Sequence, residues 1–233
     1  ARSDPTALKH KGLTYFYVDM KTPGIEAKPI KQISGSANFN EVFFNDVRIP
    51  DSQRIGAEGD GWKVSLTTLM NERLAVGDPP GLDFDQIFEA SKEIEVEDGL
   101  AVKNSEVRQK MADWYIQSRG LQYTKYRSMT ALSKGQTPGP ELSISKLVTA
   151  SKMQDVSSYA LDLMDMSGMV HQDKNPILKN LFQNGYFFSA AMRIAGGTDE
   201  VLRNIIAERV LGLPQDERSD KKLPFNELPS GKN

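Results

Sequence analysis

Apolar and polar positions follow two different periods along this chain, and the change comes near residue 60. Before it, three stretches rich in aromatic and β-branched residues predict β-strands, over residues 12–19, 24–31 and 39–49. Pro29 favours an edge strand or a bulge for the second stretch, because proline has no N–H to donate to a sheet. Three strands are too few for a sandwich, so we expect them to belong to a sheet whose other strands lie elsewhere.

After Gly61 the apolar residues recur with a helical period. This period predicts six helices, at about 61–78, 82–94, 105–134, 141–168, 176–194 and 198–211. One apolar face of the third helix is marked by Val107, Met111, Trp114, Leu121, Met129 and Leu132. The fourth helix carries more than one apolar stripe, so we expect it to be buried against several neighbours or across a subunit contact.

Strands followed by long helices predict an α+β chain. We expect residues 1–55 to be the remnant of an antiparallel β-domain. Residues 56–233 are expected to form a C-terminal up-down helical bundle with an extended tail, which lies on the surface or on a partner subunit.

Composition excludes several classes of function. A net charge of −2 gives no global field for nucleic acid, and the absence of cysteine excludes disulfides and thiolate metal sites. Two histidines, His10 and His171, cannot make a histidine-rich metal site, and no apolar run is long enough to span a bilayer. The chain starts at Ala1 in polar sequence without a signal-peptide pattern. We therefore expect a fragment of a cytoplasmic protein.

A glycine pair opens the last predicted helix. Gly196 and Gly197 break the preceding helix, Thr198 is a candidate N-cap, and Asp199 and Glu200 suit the first turn. Without Cβ atoms at the pair, a flat or anionic ligand can approach bare backbone N–H groups. The alternative is a helix corner that uses glycine for its geometry, and spacing alone favours this alternative.

Glu72 is the most suggestive acid. On a helix it shares a face with small or apolar side chains: Ser65, Thr68, Leu69, Ala75 and Val76. If this face borders a cavity, desolvation would raise the pKa of Glu72 towards that of a general base. The alternative is a surface pair with Arg73 or Lys63, and this stretch alone favours that alternative.

Several segments, taken together and in order, carry a family resemblance. They are residues 10–16, 18–24, 39–50, 59–64, 71–73, 196–200 and 213–214. With these segments the chain resembles the middle-to-C-terminal part of an acyl-CoA dehydrogenase. The resemblance implies a middle β-domain followed by a C-terminal helical domain, with an N-terminal helical domain and the first middle-domain strands absent from this sequence.

The resemblance implies FAD-dependent α,β-dehydrogenation of an acyl-CoA thioester. In that family a carboxylate removes the α-proton while a hydride leaves the β-carbon for flavin N5. Many members place the base immediately before the Gly-Thr of the last helix, where this chain has Gly196. A minority, similar to isovaleryl- and long-chain-type enzymes, place it before an arginine on the first helix of the C-terminal domain. That position is Glu72, followed by Arg73.

The same resemblance implies the remaining roles. Glu72 is the expected base, Arg73 binds substrate, and the backbone N–H of Gly196 serves the thioester oxyanion. The residues expected to bind FAD are Gly197, Thr198 and Glu200. The expected partners are an acyl-CoA substrate and an electron-transfer acceptor protein. We expect a homodimer, homotetramer or hetero-oligomer, with the third and fourth helices at the contact.

Two departures from the family pattern leave other functions open. The Arg-x-x-Phe-Gly segment, which helps a neighbouring subunit grip the flavin pyrophosphate, is replaced by residues 104–110. The usual Gly-Gly turn before the penultimate helix reads Met-Ser-Gly over residues 166–168. One alternative is therefore a non-catalytic structural subunit of a hetero-oligomeric acyl-CoA dehydrogenase. Another is an unrelated helical interaction domain.

Overall fold

The computed structural model describes residues 1–75, 82–136, 142–170, 180–217 and 219–228, leaving aside the side chains of residues 70–75, 142, 219 and 221. The chain forms two compact units, one of Ala1–Gly77 with Asp216–Asn233 and one of Asp78–Gln215. Their boundary differs from the predicted one at residue 55, although the assignment of residues 1–55 and 56–233 to two family domains stays a prediction. The predicted α+β fold is confirmed, with small antiparallel sheets and several helices.

Two strand pairs and one helix make up the first unit. Strand β1 (Tyr15–Phe16) pairs antiparallel with β4 (Arg54–Ile55), and β2 (Ile25–Ile30) pairs with β3 (Phe39–Phe44). Helix α1 spans Gly61–Ala75. Because β2 belongs to a two-stranded ladder it is an edge strand, as its proline predicted.

The first and third strands are shorter than predicted. Asp46 adopts a left-handed backbone with φ of 50°, which breaks the extended conformation soon after β3 ends. In β1 the tyrosine and phenylalanine alone pair with another strand. Aromatic and β-branched composition therefore located the strands but overstated their lengths, because turn residues decided where pairing stopped.

The C-terminal tail packs on the first residues of the same unit. Asn226 N–H donates to Pro5 O at 3.1 Å, and the Arg2 guanidinium lies 3.8 Å from the centre of the Phe225 ring. The tail also contains two short 3₁₀ turns, Ser219–Lys222 and Phe225–Glu227. The expectation of an extended tail is therefore wrong at these turns.

The second unit is a bundle of five helices among its described residues. They are α2 (Phe84–Ser91), α3 (Ser105–Ser133), α4 (Leu142–Leu163), α5 (Leu181–Met192) and α6 (Asp199–Ile205). A π-helical turn, Ile206–Val210, continues α6. The predicted helices are confirmed within a few residues. The sequence did not predict the hairpin of β5 (Glu95–Val96) and β6 (Gly99–Leu100), which lies between α2 and α3.

The core of this unit lies where α2, α3, α4 and α5 meet. Its largest fully buried apolar side chains are Trp114, Phe182, Ile87, Leu202 and Val156. The indole N–H of Trp114 on α3 donates to Asp155 Oδ2 on α4 at 2.8 Å, so the ring is fixed in orientation as well as buried. Helix α4 contacts α2, α3, α5 and α6, which agrees with the several apolar stripes in its sequence.

The predicted apolar face of α3 is only partly buried. Val107, Met111 and Trp114 lie in the core, whereas Met129 is 55% exposed and Leu132 is 46% exposed. Helix α3 has 29 residues and is therefore roughly 44 Å long. Helical period predicts which residues share a face, but it does not show how much of that face a neighbour covers. The described neighbours cover mainly its first half.

Candidate functional site

Glu72 and Arg73 lie in the last turn of α1. Their side chains lie outside the described part of the structure, so their predicted roles stay predictions. The hydroxyls of Ser65 and Thr68 donate back to Gly61 O and Val64 O, at 2.8 and 3.2 Å. These two members of the predicted small-residue face are therefore satisfied within the helix itself.

The Gly-Gly turn follows α5 and requires glycine for its backbone. Gly196 has φ of 68° and Gly197 has φ of 111°, both in the region that L side chains avoid. A Cβ built on Gly196 would have no neighbour within 4 Å, whereas one on Gly197 would lie 3.4 Å from Leu202 Cδ2. Gly196 is therefore required by conformation, and the space beside it is open.

Thr198 caps α6 as predicted. Its Oγ1 accepts from Val201 N at 3.3 Å, and its carbonyl accepts from Leu202 N at 2.9 Å. In the described part of the chain, the amides of residues 196, 197 and 198 have no hydrogen-bond acceptor. Three consecutive N–H groups are thus available to a ligand, two of them on residues without a side chain.

A group of charged side chains holds this turn from the protein side. Lys146 Nζ, from α4, donates to Gly197 O at 2.6 Å. Asp199 Oδ2 accepts from Arg193 Nε at 2.6 Å, and Asp199 N–H donates to Arg193 O at 3.2 Å. Arg193 also donates to Gln154 Oε1 at 2.8 Å. The turn is therefore tied to both α4 and the end of α5.

Sequence reasoning missed three members of this group, namely Lys146, Arg193 and Gln154. It placed Asp199 in the first turn only because negative charge suits the helix dipole. In the structure Asp199 is buried, with a side chain 5% exposed, and serves two cations. Lys146 and Gln154 come from a distant part of the chain, so no local pattern could have indicated them.

The site shifts two pKa values. Burial lowers the pKa of Lys146, and the nearby Arg193 adds to this effect, although the carboxylate of Asp199 opposes it. The pKa of Glu200 is also lowered, because its own backbone N–H and the Thr198 hydroxyl donate to the carboxylate. Glu200 is exposed, so it presents an ionised acceptor to solvent beside the three free amides.

These residues fit part of a dinucleotide cofactor. Free backbone N–H groups can donate to an anionic or carbonyl oxygen, and the absence of Cβ atoms at Gly196 and Gly197 permits close approach. An ionised carboxylate such as Glu200 accepts from hydroxyl groups but repels a phosphate. The turn therefore suits an oxyanion or a sugar hydroxyl better than a pyrophosphate.

The two segments that depart from the family pattern have clear structural roles. Asn104 caps α3, accepting from Glu106 N and Val107 N at 3.0 and 3.2 Å. The β5–β6 hairpin just before it carries acidic side chains rather than an arginine. Gly168 lies in a 3₁₀ turn, where a Cβ would lie 2.6 Å from Leu161 O. That glycine is required by packing.

A second buried charge lies elsewhere in the bundle. Lys152 donates to Asp83 Oδ1 at 2.7 Å and to Ser118 Oγ at 2.8 Å. Ser118 donates in turn to the same carboxylate. Asp83 also caps α2, in a capping box with Gln86. This cluster joins α2, α3 and α4, and we assign it a structural role.

Two further classes of site were searched for in the described ranges. Across them, no helix has the length and apolar character that a membrane crossing requires. Nor do those ranges contain a group of three or more histidine, aspartate or glutamate side chains placed to hold a metal ion.

Comparison with known proteins covers most of the chain. A family model described as acyl-CoA dehydrogenase, C-terminal domain, matches residues 59–211. Acyl-CoA dehydrogenase FadE34 of Mycobacterium tuberculosis is 34% identical over 92% of this chain and 28% of its own length. Acyl-CoA dehydrogenase IpdE1 of the same organism is 34% identical over 94% of this chain and 55% of its own length. The chain thus spans about half or less of these curated relatives.

Solved structures agree in fold. A structure named Tcur3481-Tcur3483 steroid ACAD superposes with a TM-score of 0.78 at 23% identity, over 92% of this chain and 56% of that one. The ChsE4-ChsE5 complex from M. tuberculosis gives a TM-score of 0.73 at 19% identity, over 89% of this chain and 55% of that one. Because the family model matches well over half of the residues, the chain belongs to the acyl-CoA dehydrogenase family, an oxidoreductase family of flavoproteins.

Proposed function

We propose that this protein catalyses FAD-dependent α,β-dehydrogenation of an acyl-CoA thioester. The observation that carries the proposal is the turn at residues 196–198, where three free amides face open space. The family match spans both this turn and the Glu72-Arg73 pair. An open glycine where many members carry the base, with a glutamate at the alternative position, supports Glu72 as the base.

The chemistry is divided among the residues as follows. The N–H of Gly196 donates to the thioester oxygen and stabilises the negative charge that develops there, which makes the α-proton more acidic. Glu72 removes that proton and holds it on a carboxylate oxygen. Arg73 binds the substrate. Bound FAD supplies the acceptor for the hydride from the β-carbon.

We assign the cofactor side of the turn to Gly197, Thr198 and Glu200. Gly197 allows close approach, the N–H of Thr198 is a free donor, and Glu200 is an ionised acceptor. The double variant Thr198→Val with Glu200→Ala is expected to lower FAD retention through gel filtration. Unchanged retention would remove these two residues from the cofactor site.

A second candidate function is a non-catalytic subunit of a hetero-oligomeric acyl-CoA dehydrogenase. The acidic hairpin β5–β6 favours it, because it precedes α3 where the family pattern places a flavin-gripping arginine. Two of the structural neighbours carry names that join two gene products. An electron-transferring flavoprotein is also among the neighbours, which supports a protein electron acceptor for either function.

One experiment separates the two functions. The full-length protein is purified with and without candidate partner subunits, its FAD content is measured, and acyl-CoA is added with an artificial electron acceptor. Straight-chain and steroid-derived thioesters are both tested, because one neighbour is named a steroid ACAD. The proposal expects substrate-dependent turnover that Glu72 controls. FAD-dependent turnover that survives loss of Glu72 would favour the structural subunit.

A further inference from the structure

We infer that Lys146 is a positioning residue, which sets the direction of the Thr198 N–H by holding the carbonyl of the same peptide group. The inference rests on the proposed function in one respect, since it takes this turn to face the cofactor. It concerns a residue on α4 that is remote in sequence from the turn.

The contact between Lys146 and the turn is short and sheltered. Nζ lies 2.6 Å from Gly197 O, and the lysine side chain is only 19% exposed. Hydrogen bonds with an ionised donor are shorter and stronger than neutral ones, and screening by water is reduced in a sheltered place. Lys146 therefore has a strong hold on this carbonyl.

The peptide plane converts this hold into a direction. Gly197 C=O and Thr198 N–H belong to one planar trans peptide group, so they point in opposite directions. With the carbonyl on Lys146, the N–H must point away from α4. The need for such a hold follows from the two glycines, whose backbones are freer to rotate than any other residue.

Asp199 holds the helix end by contacts that do not involve Lys146. Its carboxylate accepts from Arg193 Nε, and its N–H donates to Arg193 O. Lys146 Nζ lies 3.7 Å from Asp199 Oδ1, beyond hydrogen-bond distance, and this buried oxygen has no donor in the described residues. Loss of the lysine should therefore release the peptide while leaving the start of α6 attached.

The test compares Lys146→Met, Lys146→Arg and a matched control, Lys92→Met, in full-length protein. Lys92 is an exposed lysine of the same unit, paired with Glu89. We expect Lys146→Met to weaken FAD affinity by about tenfold or more, the value of one hydrogen bond to a charged group. Lys146→Arg, which keeps a cationic donor, should recover most of that loss. The control should bind FAD like the wild type.

Two further measurements exclude a merely structural role. Melting temperatures of the variants are expected to agree within a few degrees, and burial already disfavours the charged lysine, so the methionine variant should fold. A crystal structure of Lys146→Met is expected to show the carbonyl of Gly197 in a new direction or in several. Wild-type FAD affinity in Lys146→Met, with the carbonyl unmoved, would overturn the inference.

The outcomes also separate this inference from the proposed function. Wild-type protein that binds FAD but does not dehydrogenate any thioester would count against the proposed function, and FAD affinity would still decide on Lys146. Turnover dependent on Glu72, with Lys146→Met indistinguishable from wild type in FAD affinity, would remove Lys146 alone.

Discussion

Lys152 and Asp83 form an ion pair whose two members differ greatly in burial. Lys152 Nζ lies 2.7 Å from Asp83 Oδ1, with the lysine side chain 2% exposed and the aspartate 45% exposed. A buried cation depends on its partner far more than a half-exposed carboxylate does, because only the cation has lost its water. The pair should therefore respond unequally to removal of either member.

Substitutions at the two positions test this asymmetry. Asp83→Asn keeps a capping side chain for α2 and leaves Lys152 buried without its anion, so the free energy of unfolding should fall by about 2–3 kcal/mol. Lys152→Met removes the buried charge, and its cost should be about 1 kcal/mol. Urea unfolding followed by circular dichroism measures both. Equal losses would contradict the asymmetry.

Asp83 also predicts a pH dependence of stability. Burial alone would raise its pKa, but hydrogen bonds from Lys152, Ser118 and the amide of Phe84 outweigh burial and lower it. A folded-state pKa below the unfolded value means that the unfolded chain binds more protons as pH falls. The stabilisation is therefore present above the ordinary value of 3.8 and is lost as pH falls through the folded value. Wild type should lose more stability than Asp83→Asn between about pH 5 and about pH 3, and parallel curves would contradict this.

The two glycines of the turn should differ in their tolerance of a side chain. Gly196→Ala places a methyl group in open space at φ of 68° and should cost about 1 kcal/mol. Gly197→Ala places one at φ of 111° beside Leu202, so about 2–3 kcal/mol is expected. Thermal unfolding of the two variants decides, and a larger loss at Gly196 would contradict the backbone argument.

Apolar side chains left exposed along α3 predict self-association or association with a related subunit. They include Ile116, Tyr123, Met129 and Leu132. Exposed apolar surface on this scale marks an interaction site. Light scattering of the full-length protein should give the mass of a dimer or a tetramer, and Met129→Glu should shift it downward. A clean monomer would reject the prediction.

Much of the fold could be predicted from sequence, because its signals are local. The period of apolar residues located every described helix, and Thr198 was correctly predicted to cap α6. The hairpin β5–β6 was missed because two-residue strands carry no measurable period. The exposure of Met129 was missed because coverage of a helix depends on its neighbours.

The candidate site was less accessible to sequence reasoning. The glycine pair and Thr198 carried a visible pattern, but nothing in the sequence linked them to Lys146 or Gln154. Those contacts join positions that only the packing of α4 against α6 brings together. Residues that form a ligand site were therefore visible in sequence, whereas residues that position them were not.

The central claim is that Glu72 is the α-proton base, and reduction of bound FAD by acyl-CoA under anaerobic conditions tests it most directly. Glu72→Gln keeps the shape of the side chain and removes its basicity. Glu58→Gln, at an exposed carboxylate of the same unit, is the matched control. We predict that Glu72→Gln slows flavin reduction by at least ~10²–10⁴-fold, with FAD content and acyl-CoA binding retained and the control unaffected. Near-normal reduction in Glu72→Gln would contradict the account.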